Sequence, residues 1–372
     1  MKPNPLKILA SLGQSIWLDY IRRDLIMNGE LLHLIEDDGL RGITSNPAIF
    51  EKAIAESNIY DPEIRRMASQ KKDVAAIYEA ISQEDVTSAA DAFRPLYDKT
   101  DGMDGYVSLE VNPHLARNAQ GTIEEGRRLW SSLNRPNVLI KVPATREGLI
   151  AIRQLITEGI NINVTLLFGL PRYREVAEAY IEGLEVRVSQ GKPINHIASV
   201  ASFFLSRIDT LVDPLLVKIA QSTSDKKEIA REDLGEVAIS SARVAYQIYK
   251  EIFGSSRFKK LQDKGAQVQR LLWASTSNKN PEYSDVKYIE ALIGAETVNT
   301  VPPQTIDAYR DHGDPKLRLE NDITKAHKVM SSLPTLGINI EQVSQQLEDE
   351  GVNKFNEPFD KLMTAILKKT TA

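Results

Sequence analysis

The chain has 372 residues, of which 42% are hydrophobic and 26% are charged, and its net charge is −5. This composition is typical of an ordinary globular protein, and the negative charge argues against a nucleic-acid-binding protein built on a basic surface. The absence of cysteine excludes disulfides, thiolate nucleophiles and cysteine-ligated metal sites.

The N-terminal segment lacks the long apolar core of a secretory signal or a membrane span. Its first short apolar run is followed by charged residues, among them Asp19, Arg22 and Arg23. Together with the lack of cysteine, this predicts a cytoplasmic protein that has no membrane partner and no nucleic-acid partner.

Short apolar runs then alternate with longer amphipathic stretches along the chain. This alternation is typical of repeated βα units around a parallel sheet. Eight of the runs are predicted to be strands: Ser15–Leu18, Gly42–Thr44, Tyr106–Val111, Val138–Val142, Ile160–Leu167, Ile197–Phe203, Arg270–Ala274 and Thr297–Val301. Eight is the number that closes a barrel. We therefore predict an α/β fold, a (β/α)8 TIM-type barrel with additional helical insertions and C-terminal helices.

The stretches between the strands carry helix signals. Glu147–Thr157 has an apolar face and ends near Gly159, and Pro171 suits the first position of the next helix. A longer apolar stripe is predicted from Glu232 to Gly254. These stripes indicate surfaces that pack against the barrel rather than cofactor sites.

The chain is longer than a minimal barrel, which needs roughly 250 residues, so roughly 120 remain. We expect one domain over 1–372, with helical insertions at about 47–105 and 204–269 and a C-terminal helical extension from about 304. From about Asn353 the extension has apolar residues at helical spacing. We hypothesise that this last helix closes over the mouth of the barrel.

The fourth predicted strand ends in a lysine. Val138–Ile140 is an apolar run typical of a strand buried on both faces, and Lys141 follows it directly. Barrels place their chemistry at the C-terminal ends of their strands. A lysine amine pressed against apolar neighbours loses hydration, which favours its neutral form, and it can then attack a carbonyl to form a Schiff base. The alternative is a lysine that extends its amine to the surface from a strand end.

The other strand ends carry polar residues of several chemical types. They are Asp19, Asn46, the trio Ser108, Glu110 and Asn112, the pair Asn163 and Thr165, and Ser202. Each one alone could be a helix cap or a turn residue. In a closed barrel, however, these ends converge on one cavity. We therefore predict a site with an amine, carboxylates, amides and hydroxyls, the set that carbonyl condensation requires.

Two possible anion-binding groups follow the later strands. Arg207 comes after the sixth strand, and the loop from Ser275 to Lys279 comes after the seventh. Hydroxyls, backbone N–H groups and cations near the top of a barrel can form a phosphate site. The alternative for Arg207 is a surface salt bridge with Asp209 or Asp213. Glycine-rich nucleotide loops are absent and the histidines are scattered, so we expect no nucleotide, no metal and no cofactor.

Taken in order, these motifs resemble those of the transaldolase family. They are Asp19, Gly42-Ile43-Thr44-Ser45-Asn46-Pro47, Ser108-Leu109-Glu110, Leu139-Ile140-Lys141, Asn163-Val164-Thr165-Leu166-Leu167-Phe168 and Ser202-Phe203-Phe204. The resemblance extends from about Gln14 to about Val301 and is greatest to the longer bacterial members that carry helical insertions. It implies sugar-phosphate substrates and a Schiff-base lysine on the fourth strand, here Lys141.

The resemblance also implies a reaction. Enzymes of this family transfer a dihydroxyacetone unit from fructose 6-phosphate or sedoheptulose 7-phosphate to glyceraldehyde 3-phosphate or erythrose 4-phosphate, in the non-oxidative pentose phosphate pathway. Asp19 would take the proton of the hydroxyl whose departure cleaves the C–C bond, and Glu110 and Thr165 would hold a proton-shuttling water. The other matched residues would bind the substrate: Asn46, Asn163 and Ser202 at the donor, and Arg207, Ser275 and Lys279 at the phosphate.

Two positions separate transaldolases from the related fructose 6-phosphate aldolases. Those shorter enzymes typically have glutamine in place of Glu110 and tyrosine in place of Phe204, and this chain has the transaldolase residue at both. After the seventh strand the chain departs from the best-known transaldolases, which carry a Ser-Phe-Arg run. Lys279 as the second phosphate cation is therefore inferred for an altered loop.

Two other functions stay open at this point. One is a Schiff-base lyase that releases free dihydroxyacetone, and the other is a non-catalytic regulatory homologue. A regulatory homologue should have lost Lys141, Asp19 or Glu110, and all three are present. The sequence contains no signal that sets the oligomeric state or the preference among sugar phosphates.

Overall fold

The computed structural model describes residues 4–223 and 225–371. Eight parallel strands close into a barrel in which each strand neighbours the next in the chain and the eighth pairs with the first. The strands are β1 (Gln14–Asp19), β2 (Gly42–Thr44), β3 (Tyr106–Glu110), β4 (Val138–Pro143), β5 (Ile162–Leu167), β6 (Ser199–Phe204), β7 (Arg270–Ala274) and β8 (Thr297–Val301). The predicted (β/α)8 TIM-type barrel is confirmed.

Helices surround this barrel. They are α1 (Pro5–Ser11), α2 (Arg23–Met27), α3 (Glu30–Asp37), α4 (Pro47–Ala55), α5 (Asp61–Ser69), α6 (Val74–Lys99), α7 (Ala119–Leu133), α8 (Arg146–Glu158), α9 (Leu170–Ser189), α10 (Ser206–Ala220), α11 (Lys227–Asp233), α12 (Val237–Phe253), α13 (Ser256–Gln262), α14 (Lys287–Glu290), α15 (Pro303–His312), α16 (Ile323–Ser332) and α17 (Ile340–Thr371). A short 3₁₀ helix, Pro113–Leu115, follows β3. None of the helices within the described ranges is long and apolar enough to cross a membrane.

Two strands begin later than their apolar runs. β5 begins at Ile162 instead of Ile160, and β6 begins at Ser199 instead of Ile197. The side chain of Asn161 explains both shifts, because its Nδ2 donates to the carbonyl of Pro136 at 2.8 Å and its Oδ1 accepts from the N–H of Ala198 at 2.9 Å. These side-chain hydrogen bonds take the place of the first backbone hydrogen bonds between neighbouring strands, so the regular strands start after them.

Two helices also differ from the predicted pattern. The stripe expected from Glu232 to Gly254 is divided between α11 and α12, because Gly235 adopts a left-handed φ of +69° that no helix accommodates. The C-terminal helix α17 begins at Ile340, well before Asn353. Its start is set by Asn339, whose side chain accepts from the N–H groups of the first turn.

A buried polar cluster closes the N-terminal end of the barrel. Arg270 donates to Ser15 Oγ at 2.9 Å and lies 3.1 Å from Asp104 Oδ1. The second oxygen of Asp104 accepts from Arg41 at 2.8 Å. Since this end is filled with paired charges, the space for a ligand lies at the opposite, C-terminal end of the strands.

The long helix α17 lies at that C-terminal end. It packs along α4, reaches α5, α6 and α10, and touches β5. Polar contacts fix it at several points: Arg117 forms an ion pair with Asp349, Lys369 forms one with Asp61 at 2.6 Å, and the His114 ring lies within hydrogen-bond distance of Asp360, at 2.8 Å. The helix therefore covers part of the barrel mouth, in agreement with the hypothesis drawn from its apolar stripe.

Candidate active site

A cavity of about 500 Å³, here called the mouth cavity, opens at the C-terminal end of the barrel. Most of the residues predicted from the sequence line it: Asp19, Asn46, Lys141, Thr165, Ser202, Phe204, Arg207, Ser275 and Lys279. Of the others, Glu110, Asn163 and Ser108 are buried and bond to or face residues of its wall, whereas Asn112 does not line the cavity and instead caps the turn after β3 by accepting from the N–H of His114. The structure thus brings together residues that lie far apart in the sequence.

Lys141 lies at the floor of the mouth cavity. The residue is only 4% exposed, and its Nζ donates to the carbonyl oxygen of Ser45 at 3.0 Å. The same atom lies 3.8 Å from Glu110 Oε2 and 5.7 Å from the ring centre of Phe355 on α17. The alternative of a lysine that extends to the surface is therefore wrong.

The strand register explains why the amine has these neighbours. Glu110 on β3 and Lys141 on β4 are direct partners in the parallel pairing, and Lys141 is in turn the partner of Asn163 on β5. Partners on adjacent strands project to the same side of a sheet. One row across three strands therefore supplies a carboxylate, an amine and an amide.

Glu110 is a buried carboxyl group with unusual electrostatics. Among the described residues, neither of its carboxylate oxygens has a hydrogen-bond partner. Burial raises its pKa to about 7, with the charge of Asp19 adding to the rise and the positive charge of Lys141 opposing it. A carboxyl group of this kind can both give and take a proton near neutral pH. Thr165, which lines the mouth cavity, also has a hydroxyl without a hydrogen-bond partner among the described residues.

Asp19 is held at the mouth by neighbouring hydroxyls. Thr44 Oγ1 donates to Asp19 Oδ1 at 2.7 Å, and the same hydroxyl lies 2.7 Å from Thr300 Oγ1. The N-cap of the following helix is Arg22, so the alternative reading of Asp19 as a helix cap is wrong. The carboxylate is instead oriented within the cavity.

Asn163 and Ser202 orient one another. Ser202 Oγ donates to Asn163 Oδ1 at 2.7 Å, and Asn163 Nδ2 donates to Ser108 Oγ at 3.0 Å. Asn46 has a partly structural role, because its side-chain oxygen caps α4 by accepting from the N–H of Ile49 at 3.1 Å. These bonds fix the amide groups in defined orientations around the amine.

The outer part of the cavity is cationic. Arg207 stacks its guanidinium 5.3 Å from the ring centre of Phe204, and its Nη1 has no hydrogen-bond partner among the described residues. Asp209 and Asp213 accept instead from Tyr288 at 2.7 Å and from Tyr283 at 2.8 Å. The surface salt bridge proposed as an alternative for Arg207 is therefore wrong.

Lys279 lies near Arg207 in this outer part. Loss of hydration and the positive charge of Arg207 both lower the pKa of Lys279, and burial lowers the pKa of Arg207. Two cations that disfavour each other would be relieved by an anion bound between them. Ser275, in the same loop, adopts a left-handed φ of +52°, and its hydroxyl lies 2.9 Å from Ser206 Oγ.

Several residues that line the cavity were not predicted from the sequence, and two of them, Lys52 and Phe355, bear on its chemistry. Lys52 on α4 adds a third cation to the outer part, and its proximity contributes to the lowered pKa of Lys279. Phe355 on α17 was assigned only to a packing face, yet its ring also faces the Lys141 amine. Both belong to helices outside the barrel strands, so the rule that places chemistry at strand ends does not predict them. The position of Lys52 in the second turn of a helix that starts at the barrel mouth was the one available signal.

The mouth cavity and its wall provide the groups that organic carbonyl chemistry needs: the Lys141 amine with the Glu110 carboxyl group 3.8 Å away, the Asp19 carboxylate on the lining, and the cations Lys52, Arg207 and Lys279. Within residues 4–223 and 225–371, no three histidine, aspartate or glutamate side chains are grouped so that they could hold a metal ion. The arrangement can form a covalent adduct at Lys141, move protons through Glu110 and Asp19, and bind an anionic group outside.

The chain is similar to known proteins over nearly its whole length. The family described as "Transaldolase/Fructose-6-phosphate aldolase" matches residues 16–366. Relatives include "Transaldolase" of Trichodesmium erythraeum, 49% identical over 99% of this chain and 98% of the relative. "Transaldolase 2" of Nostoc punctiforme is 46% identical over 99% and 98%, and "Transaldolase" of Thermobifida fusca is 43% identical over 99% of both. The similarity therefore covers the extra helices as well as the barrel.

Proposed function

This chain belongs to the transaldolase/fructose-6-phosphate aldolase family, and we propose that it catalyses dihydroxyacetone transfer between sugar phosphates through a Schiff base on Lys141. The observation that carries the proposal is the buried Lys141 amine at the base of a cavity with cations at its outer end. It lies 3.8 Å from the carboxyl group of Glu110, which has no hydrogen-bond partner among the described residues. The donor would be fructose 6-phosphate or sedoheptulose 7-phosphate.

The first chemical step is attack of the Lys141 amine on the donor's C2 carbonyl. The resulting carbinolamine loses water when a proton reaches its hydroxyl, and the nitrogen lone pair then forms the iminium ion. Glu110 is suited to supply that proton, because burial keeps it partly protonated near neutral pH. The hydroxyl of Thr165, which has no partner among the described residues, is suited to hold the departing water.

Cleavage of the C–C bond is the second step. Asp19 removes the proton of the C4 hydroxyl, the C3–C4 bond breaks, and the iminium nitrogen accepts the electron pair. The aldose phosphate leaves, and an enamine of dihydroxyacetone stays on Lys141. Thr44 holds the Asp19 carboxylate in place through its 2.7 Å hydrogen bond. An acceptor aldehyde then reverses the step, and hydrolysis frees the lysine.

The outer cations would hold the substrate's phosphate. Arg207 supplies an unpaired N–H within the described chain, and Lys279 and Lys52 stand nearby. Closer to the amine, the fixed pair Asn163–Ser202 would orient the hydroxyls of the donor. Binding at both ends sets the distance between the phosphate and the carbonyl that Lys141 attacks.

Borohydride trapping tests the covalent step. Fructose 6-phosphate plus borohydride should leave a reduced adduct on the peptide that contains Lys141, detected by mass spectrometry, and should inactivate the enzyme. Lys141→Ala should form no adduct and show no transfer. Lys279→Ala is the matched control, since it removes a lysine of the same cavity but should still form the adduct. Normal transfer by Lys141→Ala would refute the proposal.

The competing function is a lyase that releases free dihydroxyacetone, because the family includes fructose-6-phosphate aldolases. Glu110 and Phe204 favour transfer, since the resemblance associates glutamine and tyrosine at these positions with the aldolases. Product analysis with and without erythrose 4-phosphate separates the two. Transfer predicts little free dihydroxyacetone without an acceptor, whereas steady release at the transfer rate would establish the lyase.

A further inference from the structure

A second cavity of about 210 Å³, here called the side cavity, lies beside the barrel between α4, α6, α7 and α17. Its inner end is formed by Ser45 and Glu110, and its outer end by Ala75, Glu79 and Arg128. It shares Asn46 with the lining of the mouth cavity, and its exposed lining residues Ala75 and Arg128 do not line that cavity.

The wall between the two cavities is formed by the reacting groups. Lys141 lines the mouth cavity, Glu110 lines the side cavity, and their nearest charged atoms are 3.8 Å apart. Glu110 is only 7% exposed, and both of its carboxylate oxygens lack a hydrogen-bond partner in the described chain. The acid thus faces one space while the amine faces the other.

Polar groups are spaced along the side cavity from Glu110 outwards. Tyr78 and the buried Ser82 also line it, among apolar side chains, and the Ser82 hydroxyl donates to the carbonyl oxygen of Glu79 at 3.2 Å. Burial and the nearby charge of Glu110 raise the pKa of Tyr78, so its hydroxyl stays protonated. At the outer end, Arg128 bridges α7 to α6 by pairing with Glu79, and it pairs with Glu125 at 2.8 Å. A narrow space with separated polar groups suits water molecules better than an organic ligand.

The proposed reaction needs such a space. Each Schiff base that forms releases one water and consumes one proton, and each that is hydrolysed does the reverse. During both events a sugar phosphate occupies the mouth cavity, and α17 covers part of the entrance. Exchange of water and protons with solvent through the mouth is therefore obstructed while the Schiff base forms and while it is hydrolysed.

We propose that the side cavity is a separate route for water and protons to Glu110. This inference rests on the proposed function. In the dehydration step the C2–O bond breaks, the oxygen leaves as water with the proton of the Glu110 carboxyl group, and the nitrogen lone pair forms the C=N⁺ bond. Glu110 is left as a carboxylate and regains a proton that comes from bulk solvent and is relayed by water in the side cavity. In hydrolysis, Glu110 first releases its proton to solvent along the same route, and water from that side then adds to the C=N⁺ carbon and gives a proton to the Glu110 carboxylate.

Oxygen exchange at C2 tests the route. Fructose 6-phosphate is incubated with the enzyme in ¹⁸O-water, and the ¹⁸O that enters C2 is corrected for exchange without enzyme. This rate is divided by the rate of borohydride-trapped adduct formation, so that the ratio reports how often the released water escapes before it adds back. A loss of activity caused by general damage to the fold lowers both rates and leaves the ratio unchanged.

Two variants narrow the side cavity at different depths. Ala75→Trp fills its exposed outer end, and Ser82→Leu fills its middle. Ala76→Trp is the matched control, because it introduces the same side chain at the next exposed position of α6, outside the cavity lining. Neither Ala75 nor Ser82 is among the proposed catalytic or substrate-binding residues.

The route predicts a fall in the exchange-to-adduct ratio of at least about fivefold in a plugged variant and none in Ala76→Trp. An unchanged ratio in both plugged variants, or an equal fall in Ala76→Trp, would overturn it. Failure of the wild-type enzyme to form any trapped adduct would instead count against the proposed function. The two failures are thus distinguishable.

Discussion

Replacing Glu110 with glutamine tests the electrostatics of the site through protein stability. Burial raises the pKa of Glu110 from its usual 4.5 to about 7. Between these two values the folded protein holds a proton that the unfolded chain has lost, so folding is favoured at low pH and loses this contribution as the pH rises. The variant Glu110→Gln carries a neutral amide at this position, which has no proton to lose over the same range.

The magnitude follows from the two pKa values. At about 1.4 kcal/mol for each pH unit, the full loss is roughly 3 kcal/mol. Because the unfolded group is already partly ionised at about pH 5, the part that falls between about pH 5 and about pH 8.5 is roughly 2 to 3 kcal/mol. The free energy of unfolding of Glu110→Gln, relative to the wild-type protein, should therefore rise by that amount over this range.

Urea unfolding at both pH values, followed by circular dichroism, measures the effect. Titrating groups distant from Glu110 contribute equally to the wild type and the variant, so they cancel in the difference. Glu124→Gln on α7 is the control, because Glu124 is exposed and its replacement should leave the difference near zero. A change below about 1 kcal/mol for Glu110→Gln, or one of opposite sign, would show that Glu110 is ionised throughout and would refute the reasoning.

Three further perturbations address the other parts of the site. Thr44→Val should lower kcat about tenfold with little change in donor KM, because Asp19 loses the hydroxyl that orients it; an unchanged kcat would contradict this. Arg207→Ala should raise the KM for fructose 6-phosphate about 50-fold, as expected for loss of charge-assisted bonds, yet leave the kinetics of unphosphorylated fructose unchanged. A similar change with both sugars would argue against a phosphate contact. Phe355→Ala should lower the free energy of unfolding by about 3 to 5 kcal/mol, measured by urea titration, since the ring is buried under α17; a loss below about 1 kcal/mol would contradict its burial.

The barrel itself could be predicted because its strands are continuous apolar runs separated by amphipathic stretches. The strand boundaries that failed, at β5 and β6, depend on the side chain of Asn161, which bonds to segments distant in the sequence. Leu166 is another example, since it adopts a φ of +55° within β5, where the register with β6 shifts. A leucine has no intrinsic preference for that conformation, so only the packing of the whole barrel imposes it.

The candidate site could be predicted where it depends on strand ends. Glu110 and Lys141 follow from the rule that chemistry lies at the C-terminal ends of barrel strands, and the register places them side by side. The hydrogen bond from Lys141 to the Ser45 carbonyl could not be predicted, because any residue can offer a carbonyl. The places of Lys52 and Phe355 in the site could not be predicted either, because they depend on how α4 and α17 pack against the barrel, which no local sequence pattern specifies.

The helices added to the barrel shape both sides of the wall that Glu110 and Lys141 form. The segment between β2 and β3 contributes α4 and α6, and the C-terminal extension contributes α17. These distant parts of the sequence meet at Tyr78 of α6, whose ring packs edge-on against Phe50 of α4 at 6.0 Å and against Phe359 of α17 at 5.6 Å. One turn earlier on α17, Phe355 faces the amine across the mouth cavity. A single helix therefore bounds the space that the sugar enters and the space that we assign to water, so a shift of α17 would alter both at once.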